Sequence, residues 1–289
     1  MKKLSNIISV LLICLLALSS APMIFGNYAS ASTGAANFLP NNRVLTVTLP
    51  NGSTIPLDTD YEVSISKSVA AYVNSVFSAK YPSSYFNSID TSVGIYQTVT
   101  SHLQTYDNAV VYSKGHRGYS NGHISLVANN GADFFDYDIY TRTSSKNKVT
   151  FIWHCETALY YTPGASNTDS LGRAIGMPYA WTHTNSVTKY GTSGTQAYLG
   201  WTNKAPEGSY PLPGGSPQYE YRINANYNHS QVAAQFWMYM GPGTGNSKTA
   251  IGALNSMSST IYGTSFGSNP VLYDWLVIYG NQNTALPPP

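Results

Sequence analysis

The chain has 289 residues, of which 43% are hydrophobic but only 10% charged, against roughly 25% in an average soluble domain. Its formal net charge is +2, which Lys2 and Lys3 alone account for, so no basic excess remains to draw nucleic acid or an anionic membrane. Solubility falls to Ser, Thr, Asn, Gly and the 24 Tyr, a surface that keeps its character when carboxylates protonate and so suits an acidic external medium.

Lys2 and Lys3 precede an apolar run, Ile7 to Leu18, that is too short for a membrane span. Ala29-Ser30-Ala31 then fits a small-x-small cleavage site, so residues 1–31 are expected to be a signal peptide. The exported part is expected to be secreted or held at the cell surface, with no stable membrane span after cleavage. Cys14 leaves with the signal, and Cys155 remains as the one cysteine. It can form no intramolecular disulfide. It reads as a reactive thiol, as an intermolecular bridge, or as a small buried apolar residue.

Residues 32–104 form an N-terminal segment expected to belong to the main domain or to pack on it. Ser32 to Asn42 is small and polar and reads as a flexible lead-in. Val44 to Leu49 alternates as a strand does, before a Pro50-Asn51-Gly52 turn. Val69, Tyr72, Val73, Val76 and Phe77 have helical spacing, which predicts a helix over Ser66 to Lys80. Ser92 to Leu103 is a second, less regular helix candidate.

Residues 105–285 carry the clearer pattern. Ala109 to Tyr112 is a short apolar strand ending at Lys114-Gly115-His116-Arg117-Gly118, where the glycines suggest a tight turn. Ile124 to Val127 and Phe134-Phe135 read as a hairpin across Asn129-Asn130-Gly131. A short helix is expected over Asp138 to Ser145. Val149 to Trp153 is the strongest strand and ends at His154-Cys155-Glu156. Tyr198 to Trp201 is another strand, Gly200 to Tyr227 a long loop, Gln231 to Met240 and Thr249 to Tyr262 helices, and Leu272 to Tyr279 a last strand. Residues 286–289 are a Pro-rich tail. Apolar runs separated by helices predict an α/β fold, a mostly parallel sheet covered by helices on both faces.

In such a sheet the strands ending at His116 and Cys155 finish on the same edge, where catalytic groups gather. An imidazole and a thiol there can carry out nucleophilic acyl transfer: the thiolate attacks a carbonyl and the imidazole moves protons. Backbone N–H groups of Arg117, Gly118 and Cys155 are the candidates for holding the oxyanion, and a helix starting near Glu156 would favour the thiolate. Glu156 and Trp201 are candidate substrate-pocket residues, with helix capping for Glu156 and core packing for Trp201 as the alternatives. His183 or His229 are alternative partners for Cys155. His154 would point to the opposite strand face, and His102 and His123 lack supporting neighbours. No His and carboxylate set has metal-ligand spacing, and no cofactor is expected.

The succession of hydrophobic block, Gly115-His116-x-Gly118, second hydrophobic block and Cys155-Glu156-Thr157-Ala158 resembles the caspase-like cysteine peptidases, the group of caspases, legumains, gingipains and clostripains. Ala197 to Trp201 is similar to their strand after the nucleophile, and Trp275 to Asn281 to their closing strand. The resemblance implies an αβα sandwich, a His116–Cys155 dyad and a peptide or protein substrate. The family usually has Gly directly after the histidine, where this chain has Arg117; Ala before the cysteine, where it has His154; and Asp-Pro where it has Asn281-Gln282. An inactive relative, a Tyr- and Asn-rich binding protein of the cell surface, and an amidase or transferase using the same dyad are the alternatives. The sequence carries no sign of oligomeric state.

Overall fold

The computed structural model describes residues 34–39, 46–48, 50–56, 60–78, 85–87, 107–127, 133–159, 167–184, 189–203, 205, 229–241, 248–269 and 272–286. The chain divides into two units, Met1–Ala31 and Ser32–Pro289, and every described residue lies in the second. The helix expected over residues 92–103 and most of the loop expected over residues 200–227 fall outside the described residues.

The strands are β1 Gly34–Leu39, β2 Thr46–Thr48, β3 Thr54–Pro56, β4 Tyr85–Asn87, β5 Asn108–Lys114, β6 His116–Ser120, β7 His123–Val127, β8 Asp133–Phe135, β9 Asn147–Trp153, β10 Thr192–Trp201 and β11 Leu276–Asn281. The helices are α1 Asp60–Ser78, α2 Asp136–Tyr140, α3 Met177–Thr182, α4 Ser230–Met240, α5 Ala250–Tyr262 and α6 Leu272–Trp275. The main sheet has the order β11-β10-β9-β5-β1-β4. Every adjacent pair in it is parallel except β10 with β11. β6, β7 and β8 make a separate antiparallel sheet, and β2 and β3 a short hairpin.

Alternation along the central strands builds two cores. Val149, Phe151 and Trp153 of β9 face one side with Val110, Tyr112, Leu199 and Trp201, and there meet α1, α4 and α5 through Phe77, Phe236, Trp237 and Leu254. Val111, Ile152, Tyr198 and Val277 face the other side, against Ile124 and Leu126 of β7, Ile139 of α2 and Trp181 of α3. Each fully buried large apolar side chain contributes about 1.5–3 kcal/mol, and a sheet apolar on both faces must be covered on both. The expected α/β sheet between helical layers is thus present.

Several elements differ from expectation. Gly34–Leu39 is no lead-in but an interior strand, paired in parallel with β4 and β5. Small residues score poorly for strand formation, yet pairing on both edges requires only the backbone. The Gly-His-Arg-Gly turn is also absent: His116–Ser120 is a strand, level with Val127 to His123 of β7. The strand expected over Leu272 to Tyr279 begins instead as a helical turn, Leu272–Trp275. Asn269 Oδ1 accepts the Leu272 N–H at 2.9 Å and starts the helical turn α6, from which β11 follows. The helices α1 and α2 begin earlier than their spacing suggested, at Asp60 and Asp136.

Candidate functional site

β5 and β9 run parallel with Lys114 level with Trp153. The ladder continues one step, because Gly115 N–H donates to the Trp153 carbonyl at 3.3 Å. His116 lies two residues beyond Lys114 and Cys155 two beyond Trp153, so equal spacing brings both to one sheet edge, on strands about 5 Å apart.

His154, only 1% exposed, ties the two strand ends together. Its Nδ1 lies 2.7 Å from the His116 carbonyl oxygen and its Nε2 2.9 Å from Ser113 Oγ. A carbonyl can only accept, so Nδ1 carries the ring proton and Nε2 accepts the Ser113 hydroxyl. The ring faces Ser113, on the side away from Cys155, as strand alternation requires. Burial pushes the His154 pKa down to about 3, helped by the neighbouring His116 and Lys114 charges and opposed by the bond to the His116 carbonyl. The ring is therefore neutral except in strong acid. Gly115 makes room for it: a Cβ there would lie 3.0 Å from His154 Cε1.

Cys155 is partly buried against the core beneath β9. Its Sγ accepts the Ala205 N–H at 3.3 Å. The residues after it are laced to the segment leaving β10: Glu156 N–H donates to the Asn203 carbonyl at 2.9 Å and Ala158 N–H to the Trp201 carbonyl at 3.0 Å. Glu156 adopts a left-handed φ of 53°, and Thr157 Oγ1 returns a bond to the His154 carbonyl at 3.1 Å. Residues 155–158 form a turn. The helix expected to start near Glu156 is absent there, and with it the helix dipole invoked for the thiolate.

Arg117 Nη2 pairs with Glu156 Oε2. Glu156 thus faces a neighbouring guanidinium rather than capping a helix. Gly118 stands opposite Ser125 in β6, and a Cβ on it would run into Ser125 Oγ and Asp133 Oδ1. Its glycine serves clearance, not turn formation. Trp201 is fully buried with its ring 4.7 Å from that of Trp153, so it packs in the core.

The alternative histidines are placed otherwise. His183 caps α3, stacks on Tyr140 and lies 2.7 Å from Thr143 Oγ1; burial lowers its pKa. His229 is buried just before α4. His102 lies outside the described residues. His123 does have supporting neighbours: its Nδ1 is 2.7 Å from Asp136 Oδ1 and its Nε2 3.3 Å from Asp169 Oδ2. Asp136 also accepts the Gly176 N–H at 2.7 Å, and Arg173 closes the cluster on Asp169. Among the described residues no group of three or more His, Cys, Asp and Glu side chains could hold a metal ion, and no helix is long and apolar enough to cross a membrane.

Sequence reasoning missed the Ser113–His154–His116 link, the Arg117–Glu156 pair and the Ala205 donor. Parallel pairing of the two strands implies the second, since Arg117 and Glu156 each lie three residues beyond the paired Lys114 and Trp153. Nothing local marks Ala205.

No known family's sequence pattern matches the chain, and no curated protein matches it. The fold is similar to a solved structure described as "Structure of Protease", with a TM-score of 0.45 and 10% identity. That likeness covers 88% of this chain and 48% of the other, so the chain spans about half the length of the structure it matches.

Proposed function

We propose that this protein is a caspase-like cysteine endopeptidase acting outside the cell, with Cys155 as nucleophile and His116 as its proton-transfer partner. The observation that carries the reading is the matched register of β5 and β9, whose last pair, Lys114 and Trp153, leaves His116 and Cys155 each two residues further along at the same sheet edge. The Ala205 N–H aimed at Cys155 Sγ supports it, because such a donor interacts more strongly with a thiolate than with a thiol.

The thiolate attacks the peptide carbonyl carbon, and the electron pair moves to the carbonyl oxygen. N–H groups of Cys155, Arg117 or Gly118 hold that oxyanion. His116 delivers a proton to the leaving amine, giving an acyl thioester. Water, deprotonated by His116, then releases the acid and regenerates the thiol. Glu156 would meet a basic substrate side chain only in competition with Arg117.

Treatment of the folded protein with iodoacetamide at mildly acidic pH tests this. The expected result is selective alkylation of Cys155 with parallel loss of peptide hydrolysis. An inert Cys155 in a protein that cleaves no peptide favours a binding protein or an inactive relative. A peptide-library cleavage profile separates a peptidase from an amidase or transferase with the same dyad.

A further inference from the structure

His154 occupies a position one residue before the proposed nucleophile, yet its ring is buried on the other side of the sheet. There it makes two bonds that fix its orientation completely. Ser113, the penultimate residue of β5, donates to Nε2, and Nδ1–H reaches past Gly115 to the His116 carbonyl. The missing side chain of Gly115 leaves the space, since a Cβ would lie 3.0 Å from Cε1 and 3.2 Å from Nε2. Burying a neutral imidazole without partners costs stability, whereas here both nitrogens are used and the bonds span the junction between β5 and β6.

We infer that His154 is a positioning residue: its buried Nδ1–H holds the backbone carbonyl of His116 and so fixes where the His116 imidazole stands relative to Cys155. The inference rests on the peptidase reading above. A simpler apolar side chain at position 154 would fill the space but leave the His116 carbonyl without this donor. Ser113 sets the tautomer, because its hydroxyl keeps Nε2 as the acceptor. Carrier and cargo are therefore linked in one direction: Ser113 orients His154, His154 orients the His116 backbone, and His116 serves Cys155.

The test compares His154→Asn with His154→Gln, two polar amides of graded reach. Asn presents its amide N–H near the place of Nδ1, and Gln near that of Nε2. Per folded molecule, H154N retains kcat within a few fold, while H154Q loses about tenfold to a hundredfold, as a displacement of about 1 Å in a reacting group does. KM stays within about twofold in both. The pH profile of Cys155 alkylation by iodoacetamide follows the parent in H154N and moves toward that of an isolated cysteine in H154Q. Equal kcat and equal alkylation profiles in the two variants overturn the positioning role. If the parent cleaves no peptide at all, the peptidase reading fails, and the alkylation profiles alone decide whether His154 sets the His116–Cys155 relationship.

Discussion

Arg117 and Glu156, each one residue beyond a proposed catalytic side chain, form an ion pair between the start of β6 and the turn after β9. The His154 bond to the His116 carbonyl makes a second link between the same two segments. Both side chains are partly exposed, at 23% and 29%, so the pair is screened and its contribution to stability is about 1 kcal/mol or less. Arg117→Gln and Glu156→Gln should each lower kcat/KM, and the double variant should lose little beyond the worse single. A coupling of about 0.5–1 kcal/mol in the double-mutant cycle is expected. Additive losses would mean that the two side chains act separately.

His154 gives the fold an acid-sensitive element. In the folded protein it stays neutral down to about pH 3, whereas the ordinary value is 6.5. Between those values the unfolded chain holds the extra proton, so stability present above pH 6.5 is lost as pH falls toward 3. The slope is at most about 1.4 kcal/mol per pH unit. His183, lowered by burial, acts in the same direction; Asp136, raised by burial, opposes it by favouring the folded state as it protonates. Urea midpoints measured from pH 7 to pH 4 should fall more steeply for the parent than for His154→Asn. Parallel curves would contradict the buried neutral ring.

The His123–Asp136 pair joins β7 to the start of α2 and, through Gly176, to α3. Asp136 has no exposed surface and its carboxylate also accepts the Ile124 N–H at 3.3 Å. Asp136→Ala leaves the His123 ring and the Ile124 and Gly176 N–H groups buried without their acceptor, at about 1–3 kcal/mol for each unsatisfied group, and should cost roughly 3–5 kcal/mol. His123→Ala should cost a comparable amount, and the double variant less than the sum. Equilibrium unfolding followed by fluorescence of the five Trp reads this directly.

Gly118 should not tolerate a side chain, for want of space rather than of backbone freedom. Gly118→Ala drives a methyl into Ser125 and Asp133 and should cost about 1–3 kcal/mol through overpacking. Combining it with Ser125→Gly should recover part of the loss. No recovery would place the constraint in the backbone instead.

The sequence was most legible where burial imposes a period. Val149 to Trp153 and Ala109 to Tyr112 read as strands because both faces of the sheet are covered, and their order fixed which chemistry-bearing residues share an edge. It was least legible where partners are distant along the chain. Gly34–Leu39 is a strand only because β4 and β5 flank it. The stretch after Gly115 reads as a turn, yet pairing with β7 makes it a strand. Glu156 has helix-capping chemistry, but Asn203 takes its N–H and Arg117 its carboxylate, and the turn closes without a helix. His123 seemed isolated because its partners, Asp136 and Asp169, lie 13 and 46 residues away.

The most direct test of the central claim is peptide hydrolysis by Cys155→Ala, a change that removes one sulfur at a partly buried position and should leave the fold intact. The account predicts a loss of at least about a thousandfold in kcat, as when a catalytic nucleophile is removed, with an unchanged unfolding midpoint. Peptide cleavage by the folded variant at the rate of the parent would contradict it.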